Sequence, residues 1–524
     1  MKNVVKKGLA LCLATITFGS LTACGGGGSD DSNDNVLQIA AVRMGYGTAW
    51  LDAIAEEFTK ETGIKVDKSI KVGQAGAEAL DTEIESLASS NDLFFNKRAW
   101  FPKSVYEGTI SVKGQKYDCL YADISDVWAS VVDEGSGKTI EDKVDSTYAA
   151  AYHIDNKYYA LPWAGGVFGI VRNLDVWESL GLTDADMPYT TDQMFALGDK
   201  IKSQKAPFIY SLESEYYSGL LPIWFAQYEG KANTELFLSG KDPDGEMSPY
   251  IYTYDGQLEA LKVMQKLVPL VQDGGYQHNK STSIDFTSMQ GQFLRGEALF
   301  NVNGSWLENE AAANFKDSET DIIKTPVISA IVKKLSFKSL EATAADAKLA
   351  EIVKYVDAVD AGESATKPEG VTDEDIQIVT EARHYAYVAG GIDHQAYIPS
   401  YSNNIDAAKE FLKFMYSDKG LNIYYNTLNG ATLPATPVKA YENTSLELST
   451  FRKSVNVATE EGFVYDRLEK VRFYVLPQVS TTFANGVKPI NALVAGSTPE
   501  SIIATNSSDI ESKWNSIQQL LGIK

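Results

Sequence analysis

A chain of 524 residues with 70 acidic and 47 basic side chains carries a formal net charge of −23. Such a body repels phosphates, so nucleic acid is excluded as a partner, and an anionic ligand would need a local basic patch. Three cysteines, two of them at positions 12 and 24, exclude a disulfide within the body and a cysteine-built metal cluster; about 490 residues beyond the N-terminal segment can bury a large core without staples.

In chain order, Lys2, Lys6 and Lys7 make a positive region, Gly8 to Phe18 is mostly apolar, and Leu21-Thr22-Ala23-Cys24 reads as a cleavage site. The apolar run is too short for a stable bilayer-spanning helix, so residues 1–23 are expected to be an export signal. A small residue before Cys24 matches the bacterial lipobox, in which the cysteine thiol is diacylated. The alternative is an ordinary secretory signal with an incidental cysteine. Two acyl chains suffice to hold a soluble domain on a membrane, and residues 24–35, rich in Gly, Ser, Asp and Asn, read as a hydrophilic tether. No later segment is a membrane-span candidate.

The body alternates strand and helix patterns, which argues for α/β layers. Val36 to Val42 is a β-rich apolar run. After the loop Arg43 to Gly47, Thr48 can start a helix with Leu51, Ile54, Ala55 and Phe58 on one face. Gly63 closes that helix, and Ile64 to Val66 is extended again. The strand-to-helix loop of such a βαβ unit lies where open α/β sheets bind ligands. Leu93-Phe94-Phe95 is a buried-strand pattern. Tyr158 to Leu161 and Val167 to Val171 read as strands around the Pro162-Trp163-Ala164-Gly165-Gly166 turn.

Asp242-Pro243-Asp244-Gly245-Glu246 lacks the full calcium-loop pattern and reads as a turn. Met264, Leu267, Val268 and Val271 repeat at helical spacing, with Pro269 able to bend or shorten that helix. Ala298 to Val302 is a short strand before Asn303-Gly304-Ser305-Trp306. Leu349, Ile352, Val353 and Val356 mark a helix inside residues 336–381, expected to be a helical insertion with exposed, charged faces. Ala408, Phe411, Leu412 and Met415 mark a helix bounded by Gly420. The four histidines show no metal-ligand spacing.

Four blocks then carry a resemblance. They are Ile39 to Val66; Tyr158-Tyr159-Ala160-Leu161-Pro162-Trp163 with Ile170-Val171-Arg172-Asn173-Leu174; Gln292 to Trp306; and Asn404 to Gly420. In this order they resemble the family 1 extracellular solute-binding proteins, the maltose-binding-protein-like group. Arg172 and Leu174 stand where the family usually has an aromatic residue and a lysine.

The resemblance implies the periplasmic-binding-protein-like type II fold: two discontinuous α/β lobes joined by a hinge, with a ligand cleft between them. Expected boundaries are 36–155 with 325–435 for the first lobe, which would include the insertion, and 156–324 with 436–524 for the second. It also implies capture of a carbohydrate, with an oligosaccharide favoured, by a monomeric binding protein on the outer face of the cell membrane. The permease subunits of an ABC importer would be its partners. The only membrane contact would be the lipid anchor, and neither cofactor nor metal is called for.

A sugar site needs aromatic plates for C–H faces and fixed polar groups for hydroxyls, and the chain has eight Trp and 28 Tyr. The candidates are Trp306 after its Asn-Gly-Ser turn, Trp163 at the crossover, and Tyr46 and Trp50 at the first strand-to-helix junction. Asn96, Lys97 and Arg98 follow a strand end, and Glu213, Tyr217 and Trp224 could form a rim on the second lobe. Each competes with plain core packing, since cores use aromatics too. The rival from another class is a surface-anchored glycosidase-like enzyme using a carboxylate pair. No catalytic signature points to it, so no residue is assigned a catalytic role.

Overall fold

The computed structural model describes residues 36–97, 110–133, 135–154, 156–212, 216–250, 253–315, 318–390, 393–461, 464–465 and 488–521. The expected signal, Cys24 and the tether, with Arg98 and Glu213, lie outside them.

Among the described residues, eleven strands build the two main sheets. In chain order they are β1 (Val36–Arg43), β2 (Lys65–Val72), β3 (Leu93–Lys97), β4 (Leu161–Pro162), β5 (Val167–Asn173) and β6 (Ala206–Ile209). They continue with β7 (Ala298–Gly304), β8 (Thr320–Ile323), β9 (Tyr387–Ala389), β10 (His394–Tyr397) and β11 (Val464–Tyr465). The first sheet has the order β2-β1-β3-β10-β4, parallel across β2, β1 and β3 and antiparallel at β10. The second has the order β6-β7-β5-β9-β11, with β8 also paired to β5.

Local sequence accounts for the opening unit. Helix α1 (Ala49–Thr62) buries Trp50, Leu51, Ile54, Ala55 and Phe58, and ends where Gly63 turns left-handed (φ 76°) and returns its N–H to the Thr59 carbonyl. The near-continuous apolar run of β1 suits a parallel strand covered on both faces. β2 is one of the two edge strands; it keeps Lys65, Lys68 and Lys71 along it, which discourages pairing with another chain. In the second sheet β5 is buried throughout: Phe168 and Ile170 enter one core while Val167 and Val171 enter the core on the opposite face. Arg172, in the place where the family usually has an aromatic residue, pairs with Asp321 on β8 at 2.6 and 3.0 Å and lies over the Trp177 ring.

The lobe boundaries differ from those expected. β4 pairs with β10, so the first core runs on through Ala164 and the crossover falls at Gly165-Gly166. Residues from Val327 to Val388 pack with the second lobe, and the first core resumes at Ala389 and reaches Tyr441. The expected insertion therefore belongs to the second lobe. Its helices α2 (Ala342–Asp360) and α3 (Asp373–His384) bury Leu349, Ile352, Val353, Val356, Val379 and Ala382 there. An apolar stripe on a helix says that it will be buried, but not against which partner.

Arg383 on α3 locks the pair with a bidentate contact to Asp357 on α2 (2.9 and 2.8 Å) and a bond to the Thr325 carbonyl. The helix expected through Val271 is Asp255–Leu267, ending two residues before Pro269. The Tyr158 to Leu161 strand is two short pieces, Lys157–Tyr158 and Leu161–Pro162. In the 242–248 turn, Asp242 accepts the N–H groups of Asp244 and Glu246 and the Ser248 hydroxyl, so its carboxylate caps the turn.

Candidate functional site

The two lobes meet along a seam made by crossover segments that approach too closely for side chains. The Gly390 N–H donates to the Gly166 carbonyl at 2.8 Å, joining two crossovers side by side. Gly166 has φ +120°, and a Cβ there would lie 2.2 Å from the Ser305 hydroxyl oxygen. A Cβ on Gly165 would meet Pro434 at 2.9 Å. Only glycine fits either position. The Tyr148 hydroxyl donates to the Gly390 carbonyl and that of Tyr152 to the His394 carbonyl, which fixes the second crossover from below.

Tyr46 and Trp306 are among the described side chains that span the seam. Tyr46, from the β1–α1 loop, donates its hydroxyl to the Gly165 carbonyl at 2.6 Å and sits 2.8 Å from the Ser305 hydroxyl of the second lobe. Burial pushes its phenol up to about 12, against the Ser305 hydrogen bond, so it remains a neutral donor. Trp306 packs against both cores and stacks on Phe168 with centroids 5.8 Å apart. Its ring is laid over Gly304 and touches the first lobe at Gly45, where a Cβ would lie 3.0 Å from the Trp306 Cβ. Arg452, fully buried, holds the turn before it by donating to the Ser305 carbonyl at 3.0 Å and to Glu308 at 3.1 Å.

Polar groups fringe this contact. At the end of β3, Lys97 stands 3.6 Å from Asp393, which is bonded to the His394 ring at 2.8 Å. From the second lobe comes Glu310, which accepts the Gln290 amide at 2.7 Å. Burial pushes its carboxyl above the usual carboxylate range, against the pull of the Gln290 amide and the Lys97 ammonium. The arrangement offers one indole face, an ammonium and two carboxyl groups. Such a set suits the apolar faces and hydroxyls of a polyol.

Of the sequence candidates, Tyr46, Lys97 and Trp306 meet at this seam. Arg98 and Glu213 lie outside the described residues, and the remaining candidates are interior in this conformation. Trp50 and Trp163, each 1% exposed, stack on one another (5.6 Å, 19°), and the Trp163 indole donates to the Asn96 carbonyl. Asn96 is itself buried and donates to Ala77, Asp81 and Tyr397. Tyr217 accepts from Gln277, and Trp224 donates to the Pro326 carbonyl within the second core. Sequence reasoning missed Gly45, Ser305, Glu310, Asp393 and Arg452. The one signal available was the adjacency of Ser305 and Glu310 to Trp306.

Known proteins resemble the chain as follows. Residues 44–421 match the family described as bacterial extracellular solute-binding protein. A multiple sugar-binding protein of Streptococcus mutans serotype c is 27% identical over 174 residues, 33% of this chain and 39% of that protein, so the match spans about two fifths of that relative. Among solved structures, the binding protein RafE in complex with raffinose aligns with TM-score 0.56 and 17% identity, over 92% of this chain and 99% of that one. A Thermotoga lettingae ABC transporter solute-binding protein bound with α-D-tagatose aligns with TM-score 0.60 and 15% identity, over 91% and 99%. The acarbose-binding GacH receptor of Streptomyces glaucescens gives 0.56 and 17%, over 93% and 98%. At these identities the structural likeness is one of fold, the two-lobed type II arrangement.

Proposed function

The chain belongs to the bacterial extracellular solute-binding protein family, and from that premise we propose that it captures a carbohydrate, preferably an oligosaccharide, at the seam between its lobes and delivers it to the permease of an ABC importer. The observation that carries this reading is Trp306. Of the four candidate tryptophans (50, 163, 224 and 306) it alone keeps exposed surface, and it does so on the line where the two cores meet. Lys97, Asp393 and Glu310 stand around it as hydroxyl partners, and Tyr46 ties the first lobe to the second beside it. The relatives named for raffinose, tagatose, acarbose and multiple sugars support a sugar as the guest.

In this reading the ligand is gripped between lobes and released unaltered, and Cys24 holds the body as a monomer on the outer face of the membrane through its acyl chains. Calorimetric titration with di- and trisaccharides tests the binding. Trp306→Ala should weaken the best ligand by roughly 1–3 kcal/mol, the worth of a stacked aromatic contact. Unchanged affinity in a folded variant removes Trp306 from the site. Chromatography of the recovered sugar separates the readings: intact ligand fits a binding protein, and cleaved ligand favours the glycosidase-like alternative. Cys24→Ser should release the chain from membranes, and continued membrane association would refute the anchor.

A further inference from the structure

Away from the seam, the 336–381 segment forms one side of an open pocket in the second lobe. Its volume is about 400 Å³, within the usual range for small-molecule sites. Helix Thr191–Ile201, helix Asp255–Leu267, the turn Ser329–Lys334 and the first turn of α2 surround it, and it shares no lining residue with the seam. Its walls are apolar at Phe195, Val263, Val332, Leu340 and Ala345.

Four ammonium groups line this cavity: Lys262, Lys266, Lys333 and Lys338. That concentration is notable in a chain of net charge −23. Lys262 and Lys333 share a single carboxylate, Glu259, at 3.0 and 2.8 Å. Lys266 is held 4.0 Å above the Phe195 ring, a contact that orients the ammonium without neutralising it. Among the described residues, neither Lys266 nor Lys338 has a carboxylate within ion-pairing distance.

Of the other acidic groups, Asp346 already accepts the Ser329 and Thr190 hydroxyls at 2.7 and 2.9 Å, and burial pushes its carboxyl above the usual range. Asp192 is exposed. With Asp192, Glu259 and Asp346 all counted as charged, the four lysines still leave the lining one positive charge in excess; the N-terminus of α2 is itself capped by the Glu341 carboxylate, which accepts the Thr343 N–H at 3.0 Å.

We propose that this cavity is a second ligand site for a compact polyanion bearing phosphate or carboxylate groups, with Lys266 and Lys338 as its free charge partners. The four ammonium groups are solvent-exposed, so their contact with an anion is charge-assisted and weakened by salt. The site exists only because the helical segment docks on the second lobe, and this gives that segment a role which sugar capture does not supply.

The test is calorimetric titration of the detergent-solubilised full-length chain with inorganic pyrophosphate and, separately, with citrate; the preferred arm tells phosphate from carboxylate recognition. Saturable 1:1 binding of at least one is expected. Lys266→Gln/Lys338→Gln should weaken it about tenfold or more, since two charge-assisted contacts are lost. Lys65→Gln/Lys71→Gln on the edge strand β2 makes the same charge change without a cavity and should leave binding intact, as should sugar titration of the first variant. Absence of saturable binding for both anions overturns the proposal. So does an equal loss in the two double variants, which would mean diffuse surface attraction, or no loss in the first.

Discussion

Gly45→Ala separates a contact between lobes from a contact within one. The new methyl group would sit 3.0 Å from the Trp306 Cβ and 3.2 Å from its Cγ and Cδ1, inside van der Waals distance. Gly45 lies outside the left-handed region, so its backbone accepts alanine and the whole cost is this contact. Trp306 cannot swing aside easily, because its ring is confined by Gly304 and Phe168. Overpacking of this kind costs about 1–3 kcal/mol. Gly45 and Trp306 belong to different lobes, so separating the lobes relieves the clash without unfolding either one.

The expected result is a ligand affinity lower by roughly 5- to 150-fold at nearly unchanged melting temperature. Fluorophores placed on the two lobes should report a wider separation in ligand-free Gly45→Ala. Adding Trp306→Gly, which removes the Cβ as well as the ring, should restore the original separation, because the wedge then meets no side chain there. A variant that melts early with normal affinity, or whose spacing stays wide in the double variant, would refute the reasoning.

Tyr46→Phe removes the bridge to Gly165 and Ser305 and should cost about 1–2 kcal/mol of closure, read as affinity, with a smaller further loss from Ser305→Ala in the same background. The folded phenol titrates near 12 against an unfolded value near 10, so it binds its proton more tightly when folded. Its stabilisation is complete below pH 10 and fades as pH rises toward 12. Alkaline melting curves of Tyr46→Phe should therefore fall less steeply between pH 10 and 12 than those of the parent; identical slopes would contradict the buried donor.

Arg383→Ala removes the bidentate partner of Asp357, which keeps Lys324 at 3.4 Å, and should destabilise the second lobe by about 1–3 kcal/mol in denaturant titrations, with Asp357→Ala adding less than its own cost. Burial opposes ionisation of Asp357, but Arg383 and Lys324 hold its carboxyl below the usual range. The stabilisation from that pair is thus present at neutral pH and lost as pH falls through the depressed value.

The opening βαβ unit was readable because its signals are local. Leu51, Ile54, Ala55 and Phe58 share one face, and Gly63 sits where the helix must stop. The site was only partly readable because its partners are distant. Whether a loop aromatic faces a cleft or a core depends on residues that sequence spacing cannot show: the Trp163 indole bonds to a carbonyl 67 residues away, and the Tyr46 hydroxyl reaches a serine 259 residues away. The same holds for the 336–381 segment. Its apolar stripe is plain, yet its membership of the second lobe rests on strand and helix partners far along the chain.

The seam also bears on which solutes the protein can hold. In this conformation Trp306 already has an apolar neighbour, Gly45, so a guest that enters there gains only the difference between its own contact with the indole and the one it displaces. A flat, charged solute offers the ring little and must shed water from its charge. A sugar ring presents a C–H face to the indole and hydroxyls to Lys97, Asp393 and Glu310 at its edge, so each displaced contact is replaced in kind. In the proposed reading, selectivity would reside in the fringe of carboxyl and ammonium groups, and grip in the tryptophan.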